Sequence, residues 1–541
     1  MSRWLHALRR RLGPDDARLA IERETTAEVE LSRGAELDQR FVGRMRELAG
    51  QPERAALGRT VLHPACGVLL PVERRRSSGH LLVTGATGSG KTRLVLGVVR
   101  QLVERFARDD RAPTLAIVDH KSELADHTKD LVAEVAAGLP PTQAERLLER
   151  FAVVDPFSSD ALVPFQVLAG EPEVEPAILA YEVTSLLSRL AGDPFGSRQE
   201  ALTYLALLDG RVHGRSLVEV DRLFANPDEL QAVLRRSRVP EVRESVVDRL
   251  PVGGEGLAGI RARLQRLLRL RSSRLMLGAP TMISLRECLR GRILVIDTGS
   301  PPLGCEDLSR FWSGLLTISL IRAIFARNAA ESSRATWVVA DEWQEGLRGA
   351  GNLANDYERV LAMARSKGVT LALVSQSLAG ASAVSATLPR IVATNTATHI
   401  RFRASEEDAH QMRSFLPVTG RRLRPNDPWE PARRSPFLTR EEERSLLAQE
   451  AASLPDRTFY YMSRRDPWPA VLVRANTVEV QSRRQGPAWI RERVERGCLA
   501  RPIAELERAA VASSTVRGRF VPVGQRTDAR RSRRPRVPDE P

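Results

Sequence analysis

Between residues 80 and 170 the chain alternates short, wholly apolar runs with longer stretches in which apolar residues recur every three or four positions. His80-Leu-Leu-Val-Thr84, Thr114-Leu-Ala-Ile-Val-Asp119 and Phe151-Ala-Val-Val-Asp155 are the runs, and the last two end in a carboxylate. Arg93 to Phe106 has the helical spacing. Runs without a polar face predict strands buried on both sides, and their alternation with helices predicts a mostly parallel sheet covered by helices. From 171 to 290 the strand-like runs vanish, apolar residues keep helical spacing and arginines crowd in, which predicts an inserted all-α domain. Strand signals return at Ile293-Leu-Val-Ile-Asp297, Thr336-Trp-Val-Val-Ala340, Thr370-Leu-Ala-Leu-Val-Ser375 and His399-Ile-Arg-Phe-Arg403. A late pair, Phe459-Tyr-Tyr-Met462 and Ala470-Val-Leu-Val473, predicts a closing hairpin.

The flanks differ. Residues 1–60 are charged and read as helical, and 61–72 read as strand and turn. Beyond about 482 the pattern fades, and Arg517 to Pro541 has the Arg- and Pro-rich composition of a disordered segment. The expected division is an N-terminal helical region (1–60), a core domain in two parts (61–170 and 291–480), the all-α insert (171–290) and a basic, largely disordered tail (481–541). No span of about 20 apolar residues occurs. Phe311 to Ala326 comes nearest, is interrupted by Arg322 and reads as a buried helix. Cys66, Cys288, Cys305 and Cys498 are scattered without metal or disulfide spacing. A reduced, cytoplasmic protein is the expectation.

Gly85-Ala86-Thr87-Gly88-Ser89-Gly90-Lys91-Thr92 follows the first strand and opens the first helix. Glycines there let backbone N–H groups turn inward around phosphate oxygens, and the helix N-terminus adds partial positive charge. Lys91 would reach the β- and γ-phosphates, and the Thr92 hydroxyl would hold Mg²⁺. The fold class this predicts is α/β, a P-loop NTPase with a central mostly parallel sheet and an all-α insert, and the expected ligands are ATP and Mg²⁺. Trp337-Val-Val-Ala-Asp-Glu342 brings two carboxylates to a strand end. Asp341 would hold the metal through water and Glu342 would act as general base. Gln376, at the tip of the next strand, could sense the γ-phosphate, and Arg365 could reach a neighbouring subunit's phosphates as an arginine finger. These four, Lys91, Glu342, Arg365 and Gln376, are the expected catalytic residues.

Composition sharpens the picture. The net charge is +15 and the sequence pI about 10.6, which points to an anionic partner such as nucleic acid or an anionic lipid surface. Of 82 Lys+Arg residues only four are lysine: Lys91, Lys121, Lys129 and Lys367. Lysine is a compact point charge and arginine a planar fork, so a tight phosphate cradle has reason to keep lysine. Arg261, Arg263, Arg266, Arg269, Arg271 and Arg274 could line up as a basic stripe or form an ordinary solvated face.

The order of motifs resembles the type IV secretion coupling proteins, the TraD/TraG-type ATPases of bacterial conjugation, over roughly residues 70–475. GATGSGKT, Asp119-His-Lys-Ser-Glu123, FAVVDPF with VPFQVL, ILVIDTGSPP and, above all, ARSKGVTLALVSQSL carry the resemblance. It implies a RecA-like motor with an all-α insert, a homo-hexameric ring with ATP sites between subunits, DNA of low sequence specificity in a basic pore, and relaxase or secretion-channel proteins as partners. Three departures are visible: no N-terminal transmembrane pair, His120 and Ser122 where the family has Pro and Gly, and Trp343-Gln344 after the acidic pair. A soluble FtsK/HerA-like translocase in DNA processing or phage defence would share these motifs, and an adaptor switched by nucleotide is a third reading. The basic tail adds an expectation of peripheral contact with the inner face of the cell membrane.

Overall fold

The computed structural model describes residues 41–517 except 52–53, 62–65, 73–78, 171–173, 191–193, 249–253, 350–356, 406–407, 410–417, 419–437 and 464–469. Among these residues the strands are β1 (Arg54–Thr60), β2 (Gly67–Pro71), β3 (His80–Thr84), β4 (Thr114–Asp119), β5 (Phe151–Val154), β6 (Ala161–Leu162), β7 (Ile293–Asp297), β8 (Thr336–Asp341), β9 (Val369–Ser375), β10 (Thr396–Arg401), β11 (Thr458–Ser463), β12 (Val471–Ala475) and β13 (Arg501–Pro502). All but β6 and β13 form one 11-stranded sheet in the order β2-β1-β12-β11-β10-β3-β9-β8-β4-β7-β5. From β10 to β5 every pairing is parallel. From β10 back to β2 every pairing is antiparallel. The fold is α/β, with a large, mostly parallel central sheet.

The two halves differ as their residue patterns do. β3, β4, β7 and β9 are buried at every position, since helices cover both faces. β1 and β2 in the antiparallel wing alternate, burying Ala55, Leu57, Val68 and Leu70 on one face. β1 corrects the expectation of helix up to residue 60. Its alternation is only one strand long, and pairing with β12 and β2 decides the conformation.

One sheet face packs against the helices Lys91–Arg108 and Glu123–Ala137. The other carries the helix Glu306–Phe325 and the helices between Pro176 and Gly291. Leu187, Leu207, Leu264 and Leu277 of that helical stretch share one continuous apolar cluster with Leu294 and Ile296 of β7. Glu306–Phe325 is long and apolar enough to cross a membrane, yet 67% of its most apolar window is buried inside the protein. Trp312 at its centre is fully buried and donates from Nε1 to Ser273 Oγ at 3.0 Å. It is a core helix.

The largest departure from expectation is the segment after 481. It forms a turn of 3-10 helix (Arg483–Gln485), the helix Ala488–Arg496, β13 and the helix Ile503–Arg517. Ile490, Val494, Ile503 and Leu506 are buried. Arg483 donates to Asp130 at 2.7 Å and Asp126 at 3.2 Å, which fastens the segment to the helix Glu123–Ala137, and to Glu495 within the segment at 2.5 Å. Its apolar residues are too sparse to announce a core by themselves, and long-range ion pairs complete the anchorage. Residues 1–40 and 518–541 lie outside the described residues.

Candidate nucleotide site

In parallel strands all C-terminal ends lie along one edge of the sheet, and register decides what meets there. Thr84 of β3 pairs with Ser375 of β9, Asp341 of β8 with Val374 of β9, and Asp119 of β4 with both Asp341 and Asp297 of β7. The residues just beyond, Gly85, Gln376 and Glu342, therefore leave three adjacent strands at one level. β9 lies between the glycine loop and the acidic pair, so its half-buried Gln376 stands between them.

The loop is built for close approach. Gly85 has φ +155°, and a Cβ there would come within 2.5 Å of Phe402 Cβ. Gly90, with φ +108°, caps the following helix in a conformation that L side chains rarely adopt. Neighbouring strands brace the loop, since Ala86 N donates to Arg403 O at 2.6 Å and Arg457 N to Ser89 O at 2.9 Å. Ser89 Oγ donates to Ala86 O, while Thr87 and Gly88 are exposed at the tip. Lys91 folds back over the loop, and its ammonium donates to Gly85 O at 2.6 Å and Ala86 O at 2.9 Å. Burial pushes the Lys91 pKa down, against the pull of Glu342 and Asp341. Thr92 is half-buried in the first helical turn.

The acidic pair is buried. Asp341 is pushed up to about 7, first by burial and then by Asp119 and Glu342, while Lys121 and Lys91 oppose. Glu342 has φ +46°, a strained value for a residue with a Cβ. Its Oε1 accepts from Lys121 Nζ at 2.8 Å and its Oε2 from Gln344 Nε2 at 2.5 Å. Beyond Asp341 three further aspartates continue along the edge. Asp119 is fully buried and accepts from the backbone N–H of Lys121 and Ala125, both at 2.8 Å. Asp297 accepts from Ser122 Oγ at 2.6 Å and lies 3.5 Å from the Lys129 ammonium. Asp155, after β5, is pushed up to about 6 by burial and by Asp297.

The structure thus brings together the loop Gly85–Thr92, Asp341, Glu342 and Gln376. Arg365 stands elsewhere. It is exposed at the C-terminal end of the helix Tyr357–Ser366, just before β9 begins, and its charge acts on His80 at the start of β3. His80 ties that helix down, donating from Nε2 to Leu361 O at 2.6 Å and accepting from Leu371 N at 3.0 Å. Burial lowers its pKa to about 4, so it is neutral there. A seven-residue strand separates Arg365 from the phosphate loop, roughly 20 Å at about 3.3 Å per residue. Lys121 and Asp119 were not among the expected site residues. Their available signals were the scarcity of lysine and the carboxylate closing β4.

Five of the six arginines of the basic stripe are exposed, and three of those five make surface ion pairs. Arg266 pairs with Asp307 and Arg271 with Glu507, Arg263 lies 4.6 Å over the Phe195 ring, and Arg261 is 4.0 Å from Asp221. Arg269 and Arg274 are exposed.

The donor set fits a magnesium–nucleoside triphosphate. A glycine turn that a Cβ would fill faces an ammonium now satisfied by loop carbonyls, and Thr92 and Asp341 offer the oxygens that magnesium prefers.

No protein-family model matches the chain, and no curated protein matches it in sequence. Solved structures do match in fold. The bacterial conjugative coupling protein TrwBdeltaN70, unbound, superposes with TM-score 0.54 at 17% identity over 82% of this chain and 93% of that one. The plasmid coupling protein TrwB in complex with ADP and Mg²⁺ gives 0.53 at 16% identity, over 82% and 93%. VirB4 of Thermoanaerobacter pseudethanolicus gives 0.50 at 12% identity, over 79% and 98%.

Proposed function

With the coupling-protein fold as premise, we propose that the chain is an ATP-hydrolysing motor of that type, which moves DNA or a DNA–protein complex. The observation that carries this is the alignment of the glycine loop, Gln376 and the acidic pair on the adjacent strands β3, β9 and β8. Triphosphate bound in the loop would draw the Lys91 ammonium off the Gly85 and Ala86 carbonyls onto the β- and γ-phosphates. The Thr92 hydroxyl and the Asp341 carboxylate would hold Mg²⁺, which supplies charge neutralisation at the phosphate oxygens. Glu342 would accept the proton of the attacking water, and Gln376 would orient that water. The solved TrwB structures with ADP and Mg²⁺ and with ATP and GTP analogues are in keeping with this ligand choice.

The position of Arg365 bears on assembly. Lying at the far edge of the sheet, it can serve a phosphate site only in a neighbouring copy, which supports a ring, a homo-hexamer by resemblance. The charge of +15 suits sequence-independent grip on phosphates. Arg261, Arg266, Arg269, Arg271 and Arg274 are all exposed, and the surface ion pairs that three of them make leave them accessible, so this helical face and the basic sequence after 517 are the expected DNA surface. Relaxase or channel partners, and the conjugative task as opposed to DNA processing or defence, follow only from the resemblance.

The decisive experiment measures ATP turnover by the purified chain with and without DNA across a salt series. Stimulation that fades as salt rises supports the motor. Nucleotide uptake without turnover in any condition would replace it with the nucleotide-switched adaptor, and no uptake at all would sink the site.

A further inference from the structure

We infer that Lys121 is a positioning residue that holds Glu342 out of action until a γ-phosphate arrives, and then exchanges one anion for the other. This rests on the nucleotide-site reading above. Three observations carry it. First, Glu342 is only 5% exposed and both of its carboxylate oxygens are engaged, Oε1 by the Lys121 ammonium and Oε2 by Gln344. A general base must turn a lone pair towards the attacking water, and these two bonds hold the carboxylate in one fixed orientation.

Second, the two partners of the ion pair differ in exposure. The Lys121 side chain is 44% exposed and that of Glu342 6%, so the cation reaches in from the open side. Glu342 leaves β8 at the level at which Gly85 leaves β3, so the ion pair brings Lys121 to the same edge of the sheet as the Lys91 cradle. An incoming γ-phosphate carries more negative charge than a carboxylate and offers three oxygens, so it outcompetes Glu342 for the exposed ammonium. ADP lacks that group and leaves the pair closed.

Third, both ends of the pair sit on backbone held in unusual conformations. Ser122, beside Lys121, has φ +65°, and Glu342 has φ +46°. Asp119 clamps the first turn through the N–H groups of Lys121 and Ala125. A Cβ on Gly346 would come within 2.9 Å of His120 Nε2, so the segment after Glu342 rests directly on the residue before Lys121. This contact braces the two segments beside the ion pair, and such a place is where strain is retained when surroundings over-determine it. Of the departures, His120 lies against Gly346 and Gln344 holds Glu342, while Ser122 turns to Asp297.

The test compares the full-length wild type with Lys121→Met and Glu342→Gln, using calorimetry in magnesium with ADP and with a non-hydrolysable ATP analogue. Trp343, which stacks on Tyr357 at 5.5 Å, reports the Glu342 segment by fluorescence, with Trp343→Phe as the blank. Lys121→Met should leave ADP affinity within about twofold and weaken the analogue roughly ten- to hundredfold. It should also abolish an analogue-specific Trp343 signal. Glu342→Gln frees the ammonium in advance and should raise the ratio of analogue to ADP affinity. A ratio unchanged in both variants, or ADP and analogue weakened together by Lys121→Met, overturns the exchange. Should Lys121→Met fail to fold, an unchanged ratio in Glu342→Gln is sufficient to overturn it. Wild type that binds neither nucleotide refutes the site itself, a result distinct from the others.

Discussion

Consider Asp341→Asn in the absence of nucleotide and metal. Asp341 is 7% exposed, and burial among Asp119 and Glu342 raises its pKa from 3.8 to about 7. The group is thus raised in the folded protein, so its stabilising contribution is complete below the unfolded value and is lost as pH rises through the folded one. At about 1.4 kcal/mol per pH unit, keeping Asp341 charged at about pH 8 costs on the order of 4 kcal/mol. At about pH 5 the same bookkeeping gives roughly 1.5 kcal/mol, so the advantage of the neutral isostere should grow by about 2–3 kcal/mol between the two. For a cooperative unit of several hundred residues the Tm of the variant relative to wild type should therefore gain roughly 2–3 °C from the lower to the higher pH. Thermal unfolding of the two proteins at both pH values measures it. On the proposed site Asp341 would lose this proton in taking up Mg²⁺, so wild-type affinity for magnesium nucleotide should climb up to about tenfold per pH unit below 7, while Asp341→Asn binds weakly and without that slope. A difference in Tm that is constant with pH, or that favours wild type at high pH, would refute the account of a carboxylate destabilised by burial beside other acids.

Other consequences can be checked alongside. Lys91→Ala or Glu342→Gln should abolish ATP turnover, and turnover retained in either removes the site assignment. Arg365→Ala should lower turnover at least tenfold with nucleotide affinity within about twofold. Mixing it with Lys91→Ala subunits should restore activity, because one copy then supplies the loop and the other the arginine; no recovery in verified mixed assemblies would deny Arg365 a role across subunits. Arg483→Ala should cost about 1–3 kcal/mol, discounted because Asp126 and Glu495 are half-exposed, and should expose residues 483–517 to limited proteolysis at an otherwise stable core. An unchanged cleavage pattern would show that the segment is held by its apolar residues alone.

What could be read in the chain was local. Fully apolar runs such as Leu81-Leu-Val83 and Ile293-Leu-Val-Ile296 announce strands covered on both faces because no other element tolerates so short a run without a polar side. The glycine loop is legible because its chemistry lies in consecutive residues, and the acidic pair because strand and carboxylates are contiguous. The same locality explains the failures. β1 and the segment 483–517 have weak patterns of their own and take their form from partners distant in sequence, β12 for one and the helix Glu123–Ala137 for the other. Strand order was equally hidden. That β9 lies between β3 and β8, setting Gln376 within the site and Arg365 at the opposite edge, is a matter of crossovers that no stretch of sequence encodes by itself. So too with Lys121 and Glu342, 221 residues apart in the chain, whose meeting depends on the register of β4 against β8. Residue chemistry specified which groups can bind phosphate and move a proton; only the packed sheet decided which of them share a site, because a buried charge must find its partner wherever the fold places one.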